Sequence, residues 1–427
     1  ATLPSLLVVN GGDATLDARS LPDGPLDRAI ASLPSFPTDI EVWEDAAYIT
    51  ASGADRIVRV DLPSGAVDDD FVVLPAFSNP WGVAIRDAGR AWVVLSALNA
   101  VQAFDPTSGE LLGDPVGVGN WPQGCALYGD RLFVAVTGLD FITWEYVDPS
   151  VTVIDADTGT LLAELPTHPN AQDVVGWGGR IHAVCTGDYA LVESALEVFD
   201  AWSLVRVATV TVGGTAGSIA IDESGMGYLG DNGFVHTGLY RYDAATLAML
   251  NGPDDPLSSL PFSAILPDER RATLYGTQYD FFGGVLHRWD LPGLEPAGAD
   301  AIGGGPVSMA LWDLPALDVE IDGPAVVSPG DTYELAVSLE NPGDAARRGI
   351  VELHAYRPDG SPHGANPILR EGPLPVGAGR TLEGSVELQV PPVAPEGSYR
   401  LVGRVLDADG GVQHDSSSLP VDVVPAG

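Results

Sequence analysis

The segment Trp81-Gly-Val-Ala-Ile has counterparts at regular intervals along the first three quarters of the chain. In each one, a small or short polar residue stands second and a mostly apolar strand follows. The seven segments begin at Thr38, Trp81, Gln123, Gln172, Gly217, Phe262 and Val307. Their second positions, 39, 82, 124, 173, 218, 263 and 308, are separated by 43, 42, 49, 45, 45 and 45 residues. This period predicts the four-stranded blades of a β-propeller.

Each repeat continues with further apolar strands and a turn. A second strand is represented by Ala91-Trp-Val-Val-Leu and a third by Val151-Thr-Val-Ile. The third strands end at an Asp, and these residues are Asp61, Asp105, Asp155, Asp200, Asp243 and Asp290. An Asp at such a position bonds to the backbone two residues ahead. We therefore assign these acids to turns and exclude them from any active site.

The two ends of the repeat region complement each other. Leu6-Leu-Val-Val-Asn matches a second strand, although no first strand precedes it. The missing first strand is supplied by residues 306–312, after the last complete repeat. We expect residues 306–312 to pair with residues 5–11 and to close a ring of seven blades. This "Velcro" closure leaves no long exposed sheet edge.

Three segments of the repeat region carry a resemblance to a known family. They are Val151-Thr-Val-Ile-Asp-Ala-Asp-Thr-Gly-Thr-Leu-Leu-Ala-Glu-Leu-Pro, Asn79-Pro-Trp-Gly-Val-Ala and Asn120-Trp-Pro-Gln-Gly-Cys-Ala. Through them, residues 1–315 resemble the YVTN β-propeller repeat family of bacterial periplasmic and surface proteins. The resemblance implies a seven-bladed β-propeller. It implies no single activity, because the family contains binding proteins, surface-layer proteins and relatives of lactonases.

The period of about 45 residues is lost in residues 316–427. That region reads instead as alternating strands such as Tyr333-Glu-Leu-Ala-Val-Ser-Leu, with turns at Asn341-Pro-Gly and Pro358-Asp-Gly. A stretch of this length and rhythm predicts an antiparallel sandwich. It resembles the immunoglobulin-like modules of bacterial exoproteins, which implies a spacer or docking module. The predicted fold is therefore all-β, a seven-bladed propeller followed by an immunoglobulin-like β-sandwich.

The charge balance limits the partners of the chain. Its 427 residues include 59 Asp and Glu against 20 Lys and Arg, a net charge of −39, and every one of the 20 cations is an arginine. Such a surface repels nucleic acid and anionic membranes and favours cations and basic partners. A high-GC or salt-adapted host is the alternative explanation of the acidity. No apolar run is long enough to predict a transmembrane helix.

Two further features bear on the cellular compartment. The chain begins at Ala1 without a Met, as a processed secretory precursor would. We therefore expect a secreted, periplasmic or cell-surface protein of a bacterium or archaeon. The two cysteines, Cys125 and Cys185, leave two alternatives open, one disulfide or two buried thiols.

Candidate binding residues are concentrated on one face of the predicted ring. The loops that join consecutive blades, and those between the second and third strands of a blade, lie on this face. We expect the C-terminal region on the opposite face. Blade 4 carries an insertion over residues 138–149, and blades 5–7 have irregular loops at the same level. The candidates are Trp81, Trp121, Phe141, Trp144, Tyr146, Tyr189, Phe234, Tyr279 and Phe282.

Aromatic rings beside carboxylates and amides suit a partner protein, a glycan or a cationic ligand. The alternative is that the rings cap the blades and fill gaps between them. Along the axis of the ring we expect Asp39, Gly82, Gly124, Asp173, Ser218, Ser263 and Ser308. Asp39 and Asp173 could hold a cation, for which Ca²⁺ is the candidate, or merely line a water-filled channel. No other cofactor is expected.

No catalytic motif is evident in the sequence. The seven histidines show no metal-binding spacing, and neither a GxSxG motif nor a Gly-rich phosphate loop is present. The leading interpretation is a non-enzymatic binding or structural protein that recognises a partner through the loops of blades 4–7. One alternative is a subunit of an extracellular surface layer or filament, in which the chain is part of a larger assembly. The other is a hydrolase or lyase acting at the mouth of the propeller.

Overall fold

The computed structural model describes residues 3–233, 236–313, 316–343, 346–364 and 366–425. These residues form 38 β-strands, two single-turn 3-10 helices, Ser96–Leu98 and Glu269–Arg271, and no α-helix. In the described ranges, no helix is long and apolar enough to cross a membrane. The fold is therefore all-β, as the sequence predicts.

Most of the strands belong to four-stranded antiparallel sheets that follow one another along the chain. The first sheet begins with β1 (Ser5–Asn10), β2 (Thr15–Ser20) and β3 (Leu26–Ser32). The second contains β4 (Pro37–Trp43), β5 (Ala46–Ala51), β6 (Arg56–Asp61) and β7 (Val67–Val73). The third contains β8 (Pro80–Asp87), β9 (Arg90–Leu95), β10 (Ala100–Phe104) and β11 (Leu111–Gly117).

The fourth sheet differs from the others by an added hairpin. Its first two strands are β12 (Pro122–Tyr128) and β13 (Arg131–Val136). The short strands β14 (Leu139–Asp140) and β15 (Glu145–Tyr146) then form the hairpin. The sheet is completed by β16 (Ser150–Asp155) and β17 (Leu161–Pro166).

Three more sheets follow with the regular pattern. The fifth contains β18 (Ala171–Trp177), β19 (Arg180–Cys185), β20 (Ala195–Asp200) and β21 (Arg206–Thr211). The sixth contains β22 (Ser218–Ile221), β23 (Met226–Asp231), β24 (Gly238–Asp243) and β25 (Ala248–Asn251). The seventh contains β26 (Phe262–Asp268), β27 (Thr273–Gln278), β28 (Val285–Asp290) and β29 (Glu295–Ala301).

The first sheet is completed from the far end of this region. Strand β30 (Pro306–Trp312) pairs antiparallel with β1, and the register joins Ser5 to Trp312 and Val9 to Ser308. The predicted pairing of residues 306–312 with residues 5–11 is therefore confirmed. All six residues of β1 are buried, because strands flank β1 on both sides and sheets cover both of its faces.

The seven sheets are arranged as a closed ring. The first strand of each sheet contacts the first strand of the next, and β30 contacts β4. Apolar clusters fill the gaps between consecutive sheets. Strand β1 shows how one strand serves two gaps: Leu7 and Val9 pack toward the second sheet, whereas Leu6 and Val8 pack toward the seventh. The arrangement is propeller-like.

The described C-terminal residues form two further sheets. The strands, in chain order, are β31 (Asp318–Asp322), β32 (Val326–Val327), β33 (Thr332–Asn341), β34 (Arg347–Tyr356), β35 (Leu369–Val376), β36 (Arg380–Gln389), β37 (Gly397–Leu406) and β38 (Gln413–Val423). The three-stranded sheet has the order β31-β33-β36, and the five-stranded sheet has the order β32-β38-β37-β34-β35. The two sheets pack together through residues such as Leu335 and Leu353.

A buried charge network joins the C-terminal sheets to the ring. The fully buried Arg404 of β37 donates hydrogen bonds to Asp87 at the end of β8 and to Asp157 in the turn after β16. Arg400 donates a second bond to Asp87 at 2.6 Å. Burial alone would raise the pKa of Asp87, but the guanidinium groups of Arg404 and Arg400 lower it to about 2.

Asp87 ends the first strand of its sheet, at the turn to the second strand, and Asp157 lies in the turn between the third and fourth strands of its sheet. We call the surface formed by such turns the docked face, because the C-terminal sheets contact it as the sequence analysis expects. The opposite surface, formed by the loops between sheets and those between second and third strands, is the loop face.

Candidate functional site

A cluster of four apolar side chains lies on the loop face above the fourth sheet. We call Trp121, Phe141, Ile142 and Trp144 the Trp144 cluster. The ring centroids of Trp121 and Phe141 are 4.1 Å apart, and those of Phe141 and Trp144 are 5.3 Å apart. Although the rings touch one another, Trp144 is 70% exposed and Ile142 is 92% exposed. The structure thus brings three of the predicted aromatic residues together and leaves them accessible to a partner.

The insertion in the fourth sheet holds this cluster in a defined conformation. Leu139 pairs with Tyr146, and Asp140 pairs with Glu145, in a two-stranded hairpin. The Asp140 carboxylate accepts hydrogen bonds from the backbone N–H groups of Ile142 and Thr143, at 2.7 and 3.2 Å. An Asp that bonds to the backbone ahead of it in this way stabilises a turn. The hairpin therefore presents its apolar tip on a fixed frame.

The backbone at several predicted binding residues is strained. Trp121, Trp144 and Tyr189 have φ angles of 53°, 59° and 58°. In this left-handed region a side chain with a Cβ is disfavoured by about 1–2 kcal/mol, and glycine would avoid the strain. Strain of this kind persists only where the surrounding structure enforces it, and it is common at ligand-binding sites.

A second group lies beside the Trp144 cluster, on the loops of the fifth sheet. Burial, with the neighbouring Tyr189 and Asp188, raises the pKa of Tyr146 to about 12. The Tyr189 hydroxyl accepts a hydrogen bond from Gln172 Nε2 at 3.0 Å. Asp188 accepts bonds from three backbone N–H groups, which lower its pKa, and thereby fixes the loop that exposes Leu191.

Phe282 lies in the loop between β27 and β28 of the seventh sheet and is not part of the Trp144 cluster. It is 90% exposed, and its ring packs edge-on against Phe281 at 5.2 Å. Its backbone N–H donates to the Asp280 carboxylate at 2.9 Å. Phe234, the remaining candidate from the sixth sheet, lies outside the described residues.

Two predicted binding residues occupy a different place from the rest. Trp81 and Tyr279 line a cavity of about 460 Å³ on the axis of the ring. The seven axial positions predicted from the repeat, Asp39, Gly82, Gly124, Asp173, Ser218, Ser263 and Ser308, also line it. Small residues are required there because the first strands converge. A Cβ on Gly124 would lie 2.8 Å from Asp173 Oδ1.

The two axial aspartates join neighbouring sheets. Asp39 accepts bonds from Ser308 Oγ at 2.8 Å and from Val83 N at 3.1 Å, so it connects three consecutive first strands. Asp173 accepts a bond from the backbone N of Val174 at 2.8 Å and contacts Ile219 N at 3.4 Å. The predicted cation ligands are therefore engaged in hydrogen bonds of the scaffold. The described residues contain no group of three or more His, Cys, Asp or Glu that could hold a metal ion.

The cavity favours protonation of its acids. Burial, together with the charge of Asp39, raises the pKa of Asp173 to about 7 and that of Glu41 to about 8. Cys125 lines the same cavity, and burial raises the pKa of its thiol well above the usual value. Cys125 and Cys185 are both free thiols, which decides the alternative left open by the sequence.

Exposed apolar residues also occur on the loop face at positions that the sequence analysis missed. Phe36 and Phe77 are strongly exposed in the loops before β4 and β8. The equivalent loop before β12 carries Trp121. A signal was present in the sequence, because Phe36 and Trp121 directly precede the proline that begins the first strand, and Phe77 lies three residues before such a proline.

Comparisons with known proteins concern the fold. No protein-family model matches the chain, and no curated protein matches it. A protein from Lactobacillus plantarum is similar with a TM-score of 0.56 and 14% identity, over 73% of this chain and 99% of its own. A functionally unknown protein from Desulfotomaculum acetoxidans is similar with a TM-score of 0.53 and 12% identity, over 72% and 99%.

Hydrazine synthase from Kuenenia stuttgartiensis is also similar, with a TM-score of 0.53 and 14% identity, over 66% of this chain and 94% of its own. The likeness is one of fold. At these identities the similar structures support a propeller-like all-β arrangement and carry no information on activity.

Proposed function

We propose that the chain is a secreted or cell-surface, non-enzymatic binding protein. In this proposal residues 1–315 are a seven-bladed β-propeller related to the YVTN repeat proteins, and residues 316–427 are an immunoglobulin-like module. The seven four-stranded sheets and the β1–β30 pairing support the first part. The packed pair of C-terminal sheets supports the second.

The Trp144 cluster is the observation that carries the proposed activity, which is recognition of a partner protein. Contiguous exposed apolar patches on soluble proteins mark interaction sites. Trp and Tyr contribute strongly at such sites because they bury large areas with little loss of side-chain entropy. The exposed aliphatic side chains of Ile142 and Leu191 favour a protein surface over a sugar, which would stack on the rings alone.

Charge suggests the chemistry of that partner. Glu145, Asp148 and Asp280 are exposed on the loop face, and the whole chain carries a net charge of −39. A partner with an apolar centre surrounded by basic residues would be complementary to this surface. Complementary charge accelerates association more than it strengthens binding.

The experiment compares two exposed tryptophans on opposite faces. Extracellular proteins of the source organism are passed over the immobilised full chain, and any retained protein is then measured against Trp144→Ala and Trp202→Ala. Trp202, 40% exposed, follows β20 on the docked face. We expect Trp144→Ala to weaken binding by about 2 kcal/mol, roughly 30-fold, and Trp202→Ala to leave it unchanged.

Two results would revise the proposal. A partner retained equally by the wild type and Trp144→Ala would show that the Trp144 cluster is not the recognition surface. A glycan that shows the same dependence on Trp144 would replace a protein as the partner class.

A second candidate function rests on the axial cavity. Asp173 and Glu41 have pKa values near neutrality in a cavity of about 460 Å³, which suits general acid–base chemistry by a hydrolase or lyase. Under this alternative, Asp173→Asn abolishes turnover of a substrate and Trp144→Ala does not. Turnover that is retained in Asp173→Asn and lost in Trp144→Ala would exclude the axial site.

A further inference from the structure

A cavity of about 220 Å³ lies between the two C-terminal sheets, away from the ring. Its walls are mainly apolar and include Leu388 of β36, Ala394 of the following loop and Leu401 of β37. Tyr333, Tyr399 and His363 also line it. Because side chains alternate along a strand, Tyr399 and Leu401 face the cavity whereas Arg400 and Arg404 face the ring.

Three polar atoms of residues that line the cavity have no hydrogen-bond partner among the described residues. They are the hydroxyls of Tyr333 and Tyr399 and the Nδ1 atom of His363. The two tyrosines are only 3% and 8% exposed. A buried hydroxyl without a partner is unfavourable by about 1–3 kcal/mol.

Two buried tyrosines of the ring, in contrast, have hydrogen-bond partners for their hydroxyls. Tyr48 donates to the Pro106 carbonyl at 2.8 Å, and Tyr240 donates to Asp231 at 3.0 Å. The phenol groups of these two ring tyrosines therefore have partners within the fold. Two unsatisfied phenols around one cavity point to a bound molecule as their partner.

We propose that this cavity binds a small, neutral, mostly apolar molecule with one hydroxyl-type head group. The head would bond to Tyr333 and Tyr399, and the body would pack against Leu388 and Leu401. An apolar cavity of about 150 Å³ accommodates benzene, so this one accommodates a substituted ring or an alcohol of similar size. No Asp, Glu, Lys or Arg lines the cavity, and a charged ligand would lose its hydration without compensation.

The test uses two matched probes on the full chain, 4-fluorophenol and fluorobenzene, with binding followed by ¹⁹F NMR. We expect saturable binding of 4-fluorophenol and at least fivefold weaker binding of fluorobenzene. Tyr333→Phe and Tyr399→Phe each weaken 4-fluorophenol binding about fivefold and leave fluorobenzene unchanged, since each removes one hydrogen bond. Ala394→Phe, which fills the cavity, abolishes binding of both probes.

Val393→Ala is the control, because Val393 is 87% exposed in the same loop and does not line the cavity. It should bind both probes as the wild type does. Absence of saturable 4-fluorophenol binding, equal affinity for the two probes, or binding that survives Ala394→Phe would each overturn the proposal.

The melting temperature without a probe gives an independent readout. Tyr399→Phe should leave it unchanged or raise it, because the variant removes a hydroxyl that lacks a partner. A clear decrease would mean that the hydroxyl already has a partner within the folded chain, and would also overturn the proposal. Neither result bears on the Trp144 cluster, so this inference and the proposed function fail separately.

Discussion

The two faces of the ring use different chemistry. On the docked face, Arg404 is fully buried and bonds to Asp87 and Asp157 across the contact with the C-terminal sheets. On the loop face, the rings of Trp144 and Phe282 are 70% and 90% exposed. The centre of the contact that the chain makes with itself is a buried charge network, whereas the loop face presents apolar groups to the surroundings.

Exposed aromatic residues carry particular weight in a chain as acidic as this one. Charged groups are abundant, so the docked face can be built from ion pairs. Exposed rings are disfavoured by water unless a partner covers them. The proposal that the loop face recognises a partner rests on the exposed rings of Phe141 and Trp144, which the hairpin with its Asp140 turn presents there.

The largest effect is expected from Arg404→Met. The substitution leaves the carboxylates of Asp87 and Asp157 buried with less positive charge beside them. Removing one partner of a buried ion pair lowers the free energy of unfolding by about 3 kcal/mol or more. Urea unfolding of the full chain measures it. The matched control is Arg347→Met on the same contact, where Arg347 and Glu223 are partly exposed and the loss should stay below about 1 kcal/mol. Equal losses would contradict the buried network.

A second prediction concerns acid unfolding at the docked face. Asp87 has a folded-state pKa of about 2 against an ordinary value of 3.8. A depressed carboxyl pKa contributes stability that is present above pH 3.8 and is lost as the pH falls toward 2, here about 2 kcal/mol. The free energy of unfolding of Asp87→Asn should therefore vary less between pH 4 and pH 2 than that of the wild type. An identical pH dependence would show that Asp87 is not held by its arginines.

Much of the fold could be predicted from the sequence, because the repeat fixes local features. The spacing of the seven segments predicted the sheets, and the unmatched strand at Leu6 predicted the closure with β30. Axial positions followed from the same alignment. All of these predictions come from one repeated pattern, and its recurrence in seven segments strengthens the prediction made for each of them.

The contacts that depend on distant parts of the chain could not be predicted. Arg404 and Asp87 are far apart in sequence, and no pattern connects them. Trp81 and Tyr279 were predicted as binding residues of the loop face, and their additional place in the lining of the axial cavity could not be predicted, because the alignment does not give the direction in which a side chain points. Tyr333 and Tyr399 are ordinary strand residues in the sequence, and only packing reveals their unpaired hydroxyls.

The axial cavity offers a third prediction, of opposite sign to that for Asp87. Burial raises the folded-state pKa of Glu41 from 4.5 to about 8. A raised carboxyl pKa means that stability is lost as the pH rises from 4.5 toward 8. Glu41→Gln should therefore melt at a higher temperature than the wild type at pH 8.5, with a smaller difference at pH 4.5. A lower melting temperature at pH 8.5 would contradict this account.

Salt acts on the exposed acids of both faces and should have a smaller effect. At a net charge of −39, like-charge repulsion opposes the folded state. The melting temperature should rise by a few degrees over the first few hundred millimolar sodium chloride, as the screening length falls below about 10 Å. Millimolar Ca²⁺ should add more only if Asp39 and Asp173 hold a cation. A melting temperature indifferent to sodium chloride would argue against repulsion.

Whether the Trp144 ring serves recognition or packing is decided by the stability of Trp144→Ala, with Trp92→Ala as its matched control. Trp92 is 2% exposed, and its Nε1 donates to the Ala156 carbonyl at 2.9 Å. We predict that urea unfolding shows a loss of about 3 kcal/mol or more for Trp92→Ala and less than about 0.5 kcal/mol for Trp144→Ala. A loss of about 3 kcal/mol for Trp144→Ala would mean that this ring packs the fold, and would contradict its assignment to recognition.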